Sequence, residues 1–177
     1  MPQAATASAT TALNDVDLAA VGGLIEKVKA EPGIAATTWA AEVAWTGGFR
    51  SEAKVRAFAP ARSDEPAQLG GTDTGPNPVE QVLGALGNCL AVGYAANATA
   101  AGIEIRDLRI EVSGDIDLHA FLGLRPGHAG FANVSAKVHL DTDASPEAVQ
   151  ALHEKVTATS PVGHTLAHPV AVSIELA

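Results

Sequence analysis

Cys89 is the only cysteine of the chain, and it stands inside the apolar run NPVEQVLGALGNCLAVGYAANATA, residues 77–100. A thiol in that setting has two readings. It is a small hydrophobe packed in a helix, or it is a nucleophile, which requires thiolate character and a cationic or dipolar neighbour. Cys89 is far from its own helix start, so the helix dipole reaches it weakly. A single cysteine can form neither an intramolecular disulfide nor a Cys-rich metal cluster. His164 and His168 share a helical i, i+4 face, but no HExxH pattern is present. His119, His128, His139 and His153 show no ligand spacing, so no metal is expected. No GxSxG elbow and no GxxxxGK[ST] loop occurs, which leaves little for a serine hydrolase or a phosphate-loop reading. Ser160, ahead of Pro161, reads as a helix N-cap.

The elements that must position these residues are legible in part. Residues 1–12 are small and polar and are expected to be disordered. Leu13, Val16, Ala20, Leu24 and Val28 recur at helical spacing, with Asn14 or Asp15 as cap and Pro32-Gly33 as stop. This gives a helical extension over residues 13–33. Residues 38–46 and 50–59 alternate around Thr46-Gly47-Gly48 and predict a hairpin, followed by a loop over 60–78 with a short strand near Gln68 and Leu69. Asn77 and Pro78 open a helix that runs to about Ala101 and ends at Gly102. It carries no charge after Glu80, so it should be buried all round. Glycines 84, 87 and 93 weaken it and point to close approach of another backbone. A chain this small can hardly surround such a helix alone, which suggests a partner subunit. Strands follow from residue 103 to about 118 and over 134–140, separated by a loop at 119–130. Helices then open at Pro146 and Pro161, and Val170, Val172, Ile174 and Leu176 alternate as a last strand. The class is α+β.

The bulk numbers narrow the function. The 177 residues make about one domain. Apolar residues are 47% but aromatics only 4%, so Ala, Val and Leu must build the core. A net charge of −9 with no basic run argues against a nucleic-acid partner. The N-terminus lacks the basic and apolar regions of a signal peptide, and the run at 82–103 is too diluted for a membrane span. A cytoplasmic protein with no membrane partner is the expectation.

The order of a Gly-Gly turn with Arg, a Pro-led helix with an early Glu and a late Cys, a β-rich middle and an SPVGHTL helix resembles the OsmC and organic hydroperoxide resistance family. The likeness covers residues 38–177, read as one OsmC-like domain, with NPVEQVLGALGNCL at 77–90 its most specific part and SPVGHTLAHPV at 160–170 in support. The helix before it looks like an extension found in a longer branch. The resemblance implies an intertwined homodimer, with long cysteine-bearing helices wrapped by antiparallel sheets. It also implies thiol-dependent reduction of organic hydroperoxides in response to oxidative stress, without a cofactor. Carried over by position, Cys89 is the peroxidatic cysteine and Arg50 its activating cation. The family's acid usually stands where this chain has Val79, and Glu80 is one residue further on. The second cysteine falls at Ser160, with His164 as a further residue of that cleft. Without that thiol, an external thiol reductant is implied. The alternative is a non-catalytic dimer that binds a small hydrophobic ligand and keeps Cys89 as a packing residue. Alone, Arg50 reads equally as a strand-edge residue, and Glu80 as a favourable charge at a helix start.

Overall fold

The computed structural model describes residues 12–176. After helix α1, Leu18–Ala30, strands β1 (Glu42–Gly47), β2 (Arg50–Lys54) and β3 (Ala61–Ser63) form an antiparallel sheet in sequence order. Helix α2, Pro78–Ala100, leads into strand β4 (Asp107–Ile116), the short helix α3 (Leu118–Phe121) and strand β5 (Phe131–Asp141). Helices α4 (Pro146–Thr159) and α5 (Pro161–Ala167) follow.

Helix α2 forms where its local signals place it. Asn77 Oδ1 accepts from the Glu80 N–H at 2.9 Å, and Glu80 Oε2 accepts from the Asn77 N–H at 2.8 Å. This reciprocal capping box satisfies two donors that the helix cannot, and Pro78 has no N–H to satisfy. The stripe Leu86, Leu90, Tyr94 and Ala98 packs with Leu152 and Val156 of α4 into the core. Strands β4 and β5 close over it, paired from Asp107↔Asp141 to Ile116↔Phe131, and alternate β4 residues point inward at α2. Gly93 lets α4 come close, since a Cβ there would stand 2.9 Å from Val156 Cγ1.

Several expectations are corrected. Helix α2 is buried on one side only in this chain, and Val82, Gly84, Ala85 and Val92 face outward. Asp17, not Asn14 or Asp15, caps α1, accepting from the Ala20 N–H at 3.0 Å. Asn14 adopts a left-handed conformation (φ 53°) and clamps the far end of α2. It donates to Thr99 Oγ1 and the Ile103 carbonyl and accepts from the Ile105 N–H. Strand β2 stops at Lys54, before Arg56 turns with φ 52°. The stretch read as loop contains β3, and residues 67–69 form a 3-10 turn rather than a strand. Strand β4 starts at Asp107, since Ile103 and Ile105 serve the Asn14 clamp. The loop at 119–130 begins in α3. Among the described residues, 170–176 join no sheet, and Ile174 is 91% exposed. The expected disorder of residues 1–12 falls almost wholly outside the described residues. Where that stretch meets them, Ala12 takes part in the 3-10 turn of Leu13–Asp15 through its carbonyl.

Candidate functional site

Cys89 sits at the start of the fourth turn of α2, where α4 hands over to α5. Ser160 is the hinge between those helices. Its Oγ accepts from the Gly163 N–H at 3.1 Å, which caps α5, and lies 3.3 Å from Cys89 Sγ. Ser160 is 5% exposed, while Cys89 is half-buried. Together they line a cavity of about 360 Å³ walled by Val92, Gly93, Val156 and Pro161, with Asn88 and Thr159 at its edge. The sulfur is therefore neither sealed in the core nor displayed on a bare surface. It opens onto a largely hydrocarbon hollow with hydroxyls beside it.

The chain by itself brings Ser160 to Cys89, but not Arg50, Glu80 or His164. The residues lining the Cys89 cavity include no cation. Arg50 opens β2 after the two-residue turn Gly48-Phe49, and its guanidinium folds back over Gly47 and Gly48. There Nη1 donates to Thr72 Oγ1 at 3.4 Å. Among the described residues no carboxylate lies within salt-bridge distance of it. Glu80 stands nine residues before Cys89, roughly on the opposite side of α2, and one of its oxygens is engaged in the cap. Val79, where the resemblance expects the acid, lines a second hollow of about 370 Å³ with Leu83, Ile116, Leu118, Phe121 and Phe131. An apolar residue suits that wall, and Glu65 shares the hollow with Glu80. The His164 ring meets the Ala158 carbonyl at 2.9 Å and stacks on His168, outside the Cys89 cavity.

Sequence reasoning passed over Asp64. It follows β3, is 1% exposed, and ties down the loop that leads to α2. Thr72 and Thr74 each give it a hydroxyl and a backbone N–H, and Glu65 adds another N–H. These donors, Thr72 first, hold its carboxyl well below the usual carboxylate range against the opposing effect of burial. A signal existed in the spacing of an Asp from two threonines across a Gly- and Pro-rich stretch, which read only as loop punctuation.

Comparison with known proteins bears on the family and the fold. A family model described as OsmC-like protein matches residues 71–175, more than half of the chain. That span contains Glu80, Cys89, Ser160 and His164, and excludes Arg50 and Asp64. No protein of curated function matches. Among solved structures, an OsmC-like protein from Mycoplasma pneumoniae aligns with a TM-score of 0.64 at 18% identity, over 74% of this chain and 88% of that one. An organic hydroperoxide resistance protein OsmC from Legionella pneumophila aligns at 0.54 and 15%, over 74% and 91%. An organic hydroperoxide resistance protein from Elizabethkingia anophelis, solved with thiocyanate bound, aligns at 0.53 and 19%, over 72% and 88%. At these identities the likeness establishes the α+β fold with its antiparallel sheets.

Proposed function

The chain belongs to the OsmC-like family, and on that premise we propose that it reduces organic hydroperoxides, with Cys89 as its single redox centre and a thiol from outside the chain as reductant. The observation that carries this reading is the setting of the sulfur, half-buried in the wall of an apolar hollow and 3.3 Å from a buried hydroxyl. The thiolate attacks the distal oxygen of the hydroperoxide. A sulfur–oxygen bond forms as the O–O bond breaks, and the alkoxide leaves as an alcohol after taking a proton. Sulfur is oxidised by two electrons to a sulfenic acid. Ser160 cannot close a disulfide, so an external thiol condenses with the sulfenic acid and releases water. A second thiol then frees Cys89 and leaves as the disulfide. The hydrocarbon walls, Val92, Val156 and Pro161, suit the organic part of the substrate.

The activating groups come from a second copy in this reading. Among the described residues Arg50 has no carboxylate partner, and its sheet leaves Val43 and Trp45 exposed, Trp45 at 75%. Val82 and Val92 of α2 and the unpaired segment 170–176 are exposed as well. Apolar surface of this extent is the mark of an interface. A homodimer that covered it would be placed to bring Arg50, with Glu80, toward the partner's sulfur.

The test is turnover of cumene hydroperoxide with a dithiol reductant. Cys89→Ala should abolish it. One equivalent of hydroperoxide should also leave a sulfenic acid on the wild-type protein that a dimedone-type reagent traps. Equal rates for the wild type and Cys89→Ala would remove Cys89 from the reaction. The second reading, a dimer that binds a small hydrophobic ligand without turnover, draws on the lack of a cation in the Cys89 cavity and the hydroxyl in place of a second thiol. It predicts ligand binding that Cys89→Ala leaves intact, with no trapped sulfenate.

A further inference from the structure

We propose that Asp64, acting through Thr72, is a positioning residue that fixes the Arg50 guanidinium while leaving it unneutralised. The inference rests on the reading of Arg50 as the activating cation. Its basis is the direction of the hydrogen bonds. A threonine hydroxyl has one proton. Thr72 Oγ1 lies 2.6 Å from Asp64 Oδ2, and a carboxylate can only accept, so the proton goes there. The lone pairs of Thr72 Oγ1 are then its only remaining capacity, and Arg50 Nη1 donates to them. The buried carboxylate thus polarises the hydroxyl toward the guanidinium, with a charge at each end of the chain.

The surrounding loop is built to hold this arrangement. The Thr72 and Thr74 backbone N–H groups also reach Asp64 Oδ2, so the hydroxyl cannot drift from the carboxylate. Gly71 passes so close to Glu65 that a Cβ would stand 1.8 Å from its carbonyl oxygen, and no other residue fits. Phe49, the neighbour of Arg50, lays its ring against Gly70, where an added Cβ would meet it at 3.2 Å. The hairpin turn and the Asp64 loop are therefore held together twice, by a ring on a glycine and by the guanidinium on a hydroxyl. A direct Asp–Arg pair would neutralise the cation and occupy its donors. Placing a threonine between them orients the guanidinium yet leaves most of its five N–H donors for another group. Electrostatic stabilisation of a thiolate asks for such a cation, oriented before the reaction begins.

The experiment compares full-length wild type, Thr72→Val, Thr72→Ser, Asp64→Asn and Arg50→Ala. It measures the rate at which iodoacetamide alkylates Cys89 at neutral pH, and the order of the Arg50 Nε–H by ¹⁵N relaxation. Thr72→Val should slow alkylation about threefold, the scale of one weak hydrogen bond, and should release Arg50 to motion. Thr72→Ser should restore both. Asp64→Asn should follow Thr72→Val where it folds, and the valine variant carries the test where it does not. An Arg50 that is mobile in the wild type, or equally ordered in Thr72→Val, overturns the proposal. If Arg50 order depends on Thr72 but Arg50→Ala alkylates at the wild-type rate, the relay stands and the activating role of Arg50 falls.

Discussion

Ser160 Oγ is held by the Gly163 N–H and faces Cys89 Sγ at 3.3 Å. Ser160 is thus both the cap of α5 and the nearest polar neighbour of the sulfur, and the cap explains why the hydroxyl is so well placed. A thiol in the same position would need to approach to about 2.05 Å to bond. The two side chains already touch at 3.3 Å, so the shift asked of them is small. Ser160→Cys should therefore oxidise with diamide to a species with no free thiol, at some loss of the α5 cap. Closing a loop of this length should stabilise the oxidised protein by up to about 4 kcal/mol, visible in urea denaturation with and without reductant. Two thiols that remain free under diamide would mean that the head of α5 does not meet α2 in solution. The Ser160–Cys89 pairing was legible in the sequence only through the family resemblance. Nothing local says that a cap at residue 160 faces a helix residue 71 positions earlier.

At the scale of elements, what could be read followed from how far each signal reaches. Helices α2 and α5 announce themselves within four residues, by Asn77-Pro78 with Glu80 and by Ser160-Pro161, and both form there. Asn14 misleads for the opposite reason. It has the residue type of a cap, yet its side chain bonds Thr99, Ile103 and Ile105, some 85 to 91 positions away. It makes two donations and one acceptance where α2 ends, and it ties the N-terminal segment to the body. Asn14→Ala would leave the Ile105 N–H and the Ile103 carbonyl without that partner. It should cost about 1–3 kcal/mol, measured by urea denaturation. Asp17→Ala, which removes an ordinary exposed cap from α1, should cost about 1 kcal/mol or less. An Asn14→Ala variant no less stable than Asp17→Ala would show that the clamp contributes nothing. The Asp64 loop was missed for the same reason, since its meaning lies in which residues its threonines face. The last strand was predicted from alternation that is present, but a strand needs a neighbour, and residues 170–176 find none among the described residues.

At the scale of the whole molecule, the chain leaves much of its apolar surface uncovered. Its β1–β3 sheet exposes Trp45 and Val43, Trp39 just before it is 83% exposed, and Ile174 and Leu176 stand free. Helix α2 turns its outward stripe to solvent. Gly84 is the most informative residue of that stripe. A glycine in mid-helix costs about 1 kcal/mol relative to alanine, and among the described residues a Cβ at position 84 would meet nothing within 4 Å. The same chain shows at Gly93 what an explained helix glycine looks like, with Val156 pressed against it. Close approach of a second copy of α2 would give Gly84 the reason it lacks. Gly84→Leu separates the two cases. In a lone chain the substitution projects into open space and strengthens the helix. In the proposed homodimer it drives a side chain into the partner, shifting sedimentation equilibrium at micromolar protein from dimer toward monomer. Because the activating Arg50 would then come from the partner, the same variant should lower Cys89 alkylation to the level of Arg50→Ala while circular dichroism reports an intact helix. A Gly84→Leu protein that stays dimeric and alkylates at the wild-type rate would place the interface away from α2, and Arg50 would then need another route to the sulfur.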